Sequence, residues 1–448
     1  MTPRYPLEPD AAGMDELGRA VVTRAIAFVE ALPDRPASPM GAAPAAGTEL
    51  IREMLAPPPE RPGQLVDLLA RVDRAAAHAV ETAGPGYLAY IPGGGVFASA
   101  VAEFYAEVTN RMVGLARLAP GLAALERSVV GWLGDVSGMP SLESGGLLLS
   151  GGSMANFTAV VAARHARLGE NDQISDGTLY VSSHAHHSLL KAARLAGLPA
   201  ANVRTVPCTT DLRMNADAAH DMIVADRASG RRPFLLVGSA GTTSTGTIDP
   251  LPELAGLAKA HELWFHVDGA YGGLFRLTDR GRARLQGTEQ ADSVTLDPHK
   301  SLFLPYGTGA LVVRDANSLR AAHTVVSQYL QDARTDDALT DFADLGLELS
   351  REFRGLRVWL PLHLYGVAVF RAALDEKLDL ARLAYDRLAA EPRLEVPWEP
   401  DLTVVAFRCR PSDPGLTAAA DADRASHELL DRINATGRVV LSSTVVDD

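Results

Sequence analysis

Lysine is nearly missing from this 448-residue chain: Lys191, Lys259, Lys300 and Lys377 are the four, and arginine supplies the rest of the fixed positive charge. Cysteine is scarcer still. Cys208 and Cys409 lie far apart without partners at metal-ligand spacing, which excludes a disulfide framework and fits a reducing cytoplasm. Excess positive charge is absent too. With a net charge of −13 and dispersed arginines, the chain is not built to bind a phosphate backbone, so no nucleic-acid partner is expected. No apolar run approaches the ~18 residues that span a bilayer, and Met1-Thr2-Pro3-Arg4-Tyr5-Pro6 lacks a charged stretch followed by an apolar core. The expectation is a soluble cytoplasmic protein with no membrane partner. No internal repeat is visible, and the length suits one large subunit with two or three structural regions and a substantial core.

Against that scarcity, Lys300 stands out. It sits in Asp297-Pro298-His299-Lys300-Ser301-Leu302-Phe303, between a turn-forming Asp-Pro and an apolar run, whereas the other three lysines lie in helical-looking polar stretches. A chain that uses arginine almost everywhere keeps lysine where an amine has to lose its proton, which arginine cannot do. A deprotonated amine attacks carbonyls, so this position points to Schiff-base chemistry in a desolvating pocket. An ordinary surface lysine after a strand is the plainer alternative.

Two further segments bear on that choice. Ser150-Gly151-Gly152-Ser153-Met154-Ala155-Asn156 follows the apolar Leu147-Leu148-Leu149 and precedes a helical pattern from Phe157 to Arg164, which reads as strand, tight glycine turn and helix. Such a helix start offers unpaired N–H groups and a positive dipole end to an anion, and Ser153 adds a hydroxyl. The turn lacks the lysine ending of a nucleotide P-loop and the GxGxxG of a dinucleotide fold, and a plain serine-capped turn is its structural alternative. Trp264-Phe265-His266-Val267-Asp268-Gly269-Ala270-Tyr271 is an apolar strand with an acid at its carboxyl end, where open α/β sheets place ligands. A lone carboxylate there serves either as a turn former or as the partner of a protonated ring nitrogen.

Taken in order, Ser-Gly-Gly-Ser, Ser182-Ser183-His184-Ala185-His186, Gly241-Thr242-Thr243, His266 to Tyr271 and Asp297-Pro298-His299-Lys300 resemble the pyridoxal-phosphate group II decarboxylases, the aromatic L-amino-acid decarboxylases among them. The resemblance runs over residues 84 to 370. It implies a type I pyridoxal-phosphate transferase-like fold, pyridoxal 5'-phosphate as cofactor, a homodimer, and decarboxylation of an amino acid, aromatic or related, to its amine through an aldimine and a quinonoid. Lys300 resembles the aldimine-forming lysine and Asp268 the partner of the ring nitrogen. His186 matches the ring-stacking histidine, with Ala270 on the opposite face, and Gly152, Ser153 and His299 match the phosphate cradle. Thr243 falls near the ring, Tyr90 and Pro92 in the substrate pocket, and Tyr329 on a mobile loop (residues 327 to 346) that delivers the final proton.

The organisation follows a βα rhythm. Leu179-Tyr180-Val181, Phe234 to Val237, Trp264 to Val267, Ser293-Val294-Thr295 and Ala310 to Val313 alternate with helical patterns, predicting an α/β fold with a mostly parallel sheet. Residues 31 to 63, rich in Pro, Ala and Gly, read as a linker. The expected division is 1–83 as an N-terminal helical, dimer-wrapping segment, 84–360 as the large cofactor-binding domain, and 361–448 as a small α+β domain. In that last part Leu402 to Phe407 reads as a strand, Ala425 to Ile433 as a helix and Val439-Val440-Leu441 as a strand, and the resemblance leads one to expect a domain shorter than the family's by roughly one βα unit.

One rival reading uses spacing alone. His184 and His186, His266 and Asp268, and Asp297 and His299 are i, i+2 pairs that share a face in extended chain, as a metallohydrolase site requires. It leaves Lys300 and the glycine turn unused. Departures from the aromatic pattern at Ile91, Gly93 to Gly95 and Met112 to Gly114, together with Arg111 and Arg117, keep a glutamate- or aspartate-type decarboxylase, or another carbon–carbon lyase, open as alternatives. Asp297 itself replaces an asparagine common before Pro-His-Lys.

Overall fold

The computed structural model describes residues 7–38, 44–91, 94–139, 144–169, 172–325, 341–410 and 419–446. Contacts divide the chain into two compact units, residues 1–92 with 418–444, and residues 93–417 with 445–448. The boundaries expected at 83 and 360 do not follow this division: residues 361–417 group with the large unit, and the helix Ala419–Ala435 groups with the N-terminal segment.

Among the described residues of the large unit seven strands form one sheet: β1 Gly145–Leu149, β2 Gly177–Ser182, β3 Val203–Val206, β4 Arg232–Ser239, β5 Trp264–Gly269, β6 Ser293–Leu296 and β7 Gly309–Val313. Their order is β1-β7-β6-β5-β4-β2-β3, and β7 alone runs against the others. Because helices cover both faces, the central strands read as continuous apolar runs rather than alternating ones; every residue of β2, β5, β6 and β7 is buried. The register sets Ser239 of β4 opposite Asp268 of β5, and Asp268 opposite Thr295 of β6, so the acid lies in the middle of the sheet near its carboxyl edge.

The helix Gly152–Leu168 presses on this sheet with small side chains. Ala155, Ala159 and Ala162 pack against Leu147, Leu149 and Leu311, while Val160 and Ala163 meet Leu179 and Leu235. Such short side chains bring the helix close enough for its one buried amide, Asn156, to reach the strands behind it.

An ion pair fixes the end of β1. Glu126, fully buried, lies 2.5 Å from Arg351 Nη1 and accepts from the backbone N–H of Gly355, while Arg351 Nη2 donates to the carbonyl of Leu148. The pair therefore ties the strand that carries the glycine turn to the segment before the helix Gly355–Tyr365.

Three sequence expectations change. Leu402 to Phe407 is not a strand: Leu402 is buried, and Thr403 donates its N–H to the Tyr271 hydroxyl, so the segment spends its apolar and polar groups on the loops at the sheet edge. Only Arg408–Cys409 pairs, with Leu394–Glu395. Val439 to Leu441 makes a single bridge, Val440 with Tyr87, and the expected linker at 31 to 63 contains the helix Pro44–Met54. Among the described residues no helix is long and apolar enough to cross a membrane.

Replacing one partner of the buried pair leaves the other charged and unpaired, which costs roughly 3–5 kcal/mol. Glu126→Ala should lower the unfolding free energy by about that amount in chemical denaturation, and a change under about 1 kcal/mol would show that water reaches Arg351.

Candidate active site

The loops at the carboxyl ends of β1, β2, β4, β5 and β6, with the start of β7, surround a cavity of about 380 Å³. Parallel strands end on one edge, so residues far apart in sequence converge there. Gly152, Ser153, His186, Thr243, Asp268, Ala270, His299 and Lys300 all line this cavity, beside Asn156, Asp297, Tyr271 and Tyr306.

At the glycine turn the space is closed to any side chain. A Cβ on Gly152 would stand 2.9 Å from Asp297 Oδ2 and 3.0 Å from the Ala270 methyl, and one on Gly309 would stand 2.4 Å from Gly151 Cα. The helix that follows has no side-chain cap; Met154 and Ala155 donate their N–H groups to the Gly151 carbonyl, and Gly152 and Ser153, which line the cavity, stand at the positive end of the dipole. His299 adds a donor: Thr308 N–H donates to its Nδ1, which puts the proton of the neutral ring on Nε2, and burial pushes its pKa down.

Lys300 Nζ lies 3.0 Å from Asp297 Oδ2. Asp297 is almost wholly buried, its other oxygen has no hydrogen-bond partner, and burial raises its pKa against the pull of Lys300. The departure noted in the sequence thus stands beside the amine. Asp268, 9% exposed, accepts from Ala270 N–H at 3.2 Å and from Asn156 Nδ2 at 2.8 Å. His186 Nδ1 is 2.7 Å from Ser188 Oγ, and burial lowers its pKa. Thr243 is exposed at the lip, whereas Thr242 is buried and bonded to Thr245 and Thr247.

Tyr90 belongs to the smaller unit, 75% exposed with a φ of 55°. Pro92 and Tyr329 lie outside the described residues. Arg111 and Arg117 are exposed and line no part of the cavity.

The spacing argument for a metal fails on backbone geometry. His184 and His186 sit in a turn rather than in extended chain, and Asp297 precedes a short helix, so only His266 and Asp268 share a strand face. His266 is committed to Ser293 and Asn156, and among the described residues no group of three or more His, Cys, Asp or Glu side chains is placed to hold a metal ion. Asn156 was within the glycine motif but carried no signal of its own, because Ser188 lies 32 residues away and its other three partners more than a hundred.

The donor set suits pyridoxal phosphate: an anion cradle at the open helix start, an acid for a ring nitrogen and an amine for an aldehyde. Residues 49–410 match the pyridoxal-dependent decarboxylase conserved domain. The aromatic-L-amino-acid decarboxylase of Bacillus atrophaeus is 35% identical over 80% of this chain and 74% of its own length. Oryza sativa TDC with PLP and tryptamine superposes with a TM-score of 0.91 at 26% identity, covering 99% of this chain and 93% of that one. Catharanthus roseus tryptophan decarboxylase in complex with L-tryptophan gives 0.88 at 26% identity, with coverage of 99% and 93%. The chain belongs to the pyridoxal-dependent decarboxylases and is a pyridoxal-phosphate-dependent carboxy-lyase.

Proposed function

We propose that this enzyme converts an aromatic L-amino acid to its amine, with Lys300 as the residue that holds the cofactor covalently. The observation that carries this reading is the amine of Lys300, partly exposed inside the cavity and 3.0 Å from a buried acid. Bound pyridoxal phosphate supplies the electron sink into which the bond from Cα to the carboxylate breaks. The chain's own residues do the rest. Gly152, Ser153 and His299 bind the phosphate through N–H and hydroxyl donors, and Asp268 holds a proton on the ring nitrogen. His186 and Ala270 bound the ring on its two sides. Asp297 takes the proton that Lys300 must lose before its nitrogen attacks a carbonyl.

The aromatic substrate is supported by the relatives, whose names specify aromatic amino acids, tryptophan or tryptamine. A homodimer is supported by the helix Phe97–Thr109, whose outer face carries Phe97, Val101, Phe104, Tyr105 and Val108 at helical spacing, the last three more than 60% exposed. Sedimentation should give a dimer that persists on dilution; a fully active monomer would remove this part of the reading.

Lys300→Ala should fold yet lose several orders of magnitude in carbon dioxide release, and borohydride treatment followed by peptide mapping should find the cofactor fixed at Lys300 in the wild type only. A panel of L-amino acids, aromatic against aspartate, glutamate and cysteine sulfinate, decides the substrate, and release from the acidic members alone would overturn the aromatic assignment. Tyr329, in Gln328-Tyr329-Leu330, is proposed as the phenol that protonates the substrate carbon after carbon dioxide leaves. Tyr329→Phe should keep carbon dioxide release while consuming dioxygen and yielding aldehyde, ammonia and hydrogen peroxide in place of amine; an unchanged amine yield without oxygen uptake would assign the proton to another group.

A further inference from the structure

Behind Asp268 lies a run of buried side chains whose protons have one consistent placement. Asn156 Nδ2 is 2.8 Å from Asp268 Oδ2 and 2.9 Å from Ser188 Oγ, and its Oδ1 is 2.7 Å from Thr295 Oγ1 and 3.1 Å from His266 Nε2. The opposite amide orientation would set an oxygen against the carboxylate with no proton between them. Asn156 therefore donates twice and accepts twice, and all four of its positions are used.

The rest follows from that amide. His266 Nε2 faces an acceptor and must carry the proton, so Nδ1 of the neutral ring is bare. Ser293 Oγ, 2.8 Å away, donates to that Nδ1 while it accepts from Trp264 Nε1 at 2.8 Å. Indole only donates, so the direction is fixed at the far end as well. Every step from Trp264 through Ser293, His266 and Asn156 points its hydrogen toward Asp268. His266 is fully buried, which disfavours the imidazolium, and Asp268 is the charged group acting against that trend.

The second donor of Asn156 sets another branch. Ser188 Oγ accepts from Nδ2 and gives its own proton to His186 Nδ1, which also accepts the Ser188 backbone N–H at 3.3 Å. Nδ1 of His186 is thus bare, and the ring proton sits on Nε2.

We infer that Asn156 is a positioning residue that sets two groups of the site at once: it aims the Asp268 carboxylate, and it fixes His186 in the neutral Nε2–H form. A carboxylate holds a proton on a ring nitrogen only while one of its oxygens points at that nitrogen, and a fixed donor on the other oxygen keeps it so aimed. Aligned donors behind Asn156 polarise its N–H bond and strengthen that hold. The inference rests on the reading of Asp268 as the partner of the cofactor's ring nitrogen.

Two measurements test it. In the ¹⁵N-histidine-labelled enzyme freed of cofactor, His266 and His186 should both appear as neutral rings protonated on Nε2 at pH 7, and His266 should stay so down to about pH 5.5, below its unfolded pKa of about 6.5. A proton on Nδ1 of either ring overturns the proposal, whether or not any variant folds. In enzyme loaded with ¹⁵N-labelled pyridoxal phosphate, the ring nitrogen should remain protonated in the wild type to about pH 9, whereas Asn156→Ala should lose that proton at least one pH unit lower. Its kcat should fall at least tenfold with KM within threefold. Wild-type protonation of the ring nitrogen in a folded, cofactor-binding Asn156→Ala enzyme also overturns the proposal. An unprotonated ring nitrogen in the wild type, with both histidines as expected, would instead remove the Asp268 reading on which this one stands.

Discussion

Seating a carboxylate inside the sheet is the constraint around which its carboxyl edge is arranged. Asp268 is 9% exposed, and its two oxygens are met by one backbone N–H and one side-chain amide. That amide sits on the helix Gly152–Leu168, which approaches the sheet closely because its inner face is mostly alanine. Small residues in the helix, the central place of β5 and the hydrogen bonds to Asp268 are thus parts of one solution.

The same helix supplies the other end of the cavity. Its first turn opens at Gly152, where a Cβ would crowd Asp297 and Ala270, so the open helix start and the placement of Asn156 come from a single element. A shift of this helix along its axis would disturb both. The buried pair of Glu126 and Arg351, which holds the Leu148 carbonyl, secures the strand from which the helix starts.

Much of this was legible in the sequence because its chemistry is local. The glycine turn, the strand ending in Asp268 and the lone lysine after Asp-Pro-His each announce themselves within a few residues, and the βα rhythm gives the parallel sheet. What stayed hidden depends on register between distant segments. His266 looked like a metal ligand because i, i+2 spacing says nothing about Ser293 and Asn156, which the pairing of β5 with β6 and the packing of the helix bring to it. Leu402 to Phe407 has a strand's composition but covers loops, and the return of Val440 to Tyr87 joins ends that no local pattern connects.

The reversal of β7 sets how the lysine segment tolerates change. Everywhere else the chain leaves the site's edge and returns to the next strand through a helix, which absorbs added or lost residues on the outside of the sheet. Between β6 and β7 there is no such detour: the two strands are antiparallel neighbours, and His299 is bonded to Thr308 through both backbone and ring. Lys300 is therefore carried on a short return anchored at both ends, a stretch whose length is fixed by the sheet itself and not by the surface.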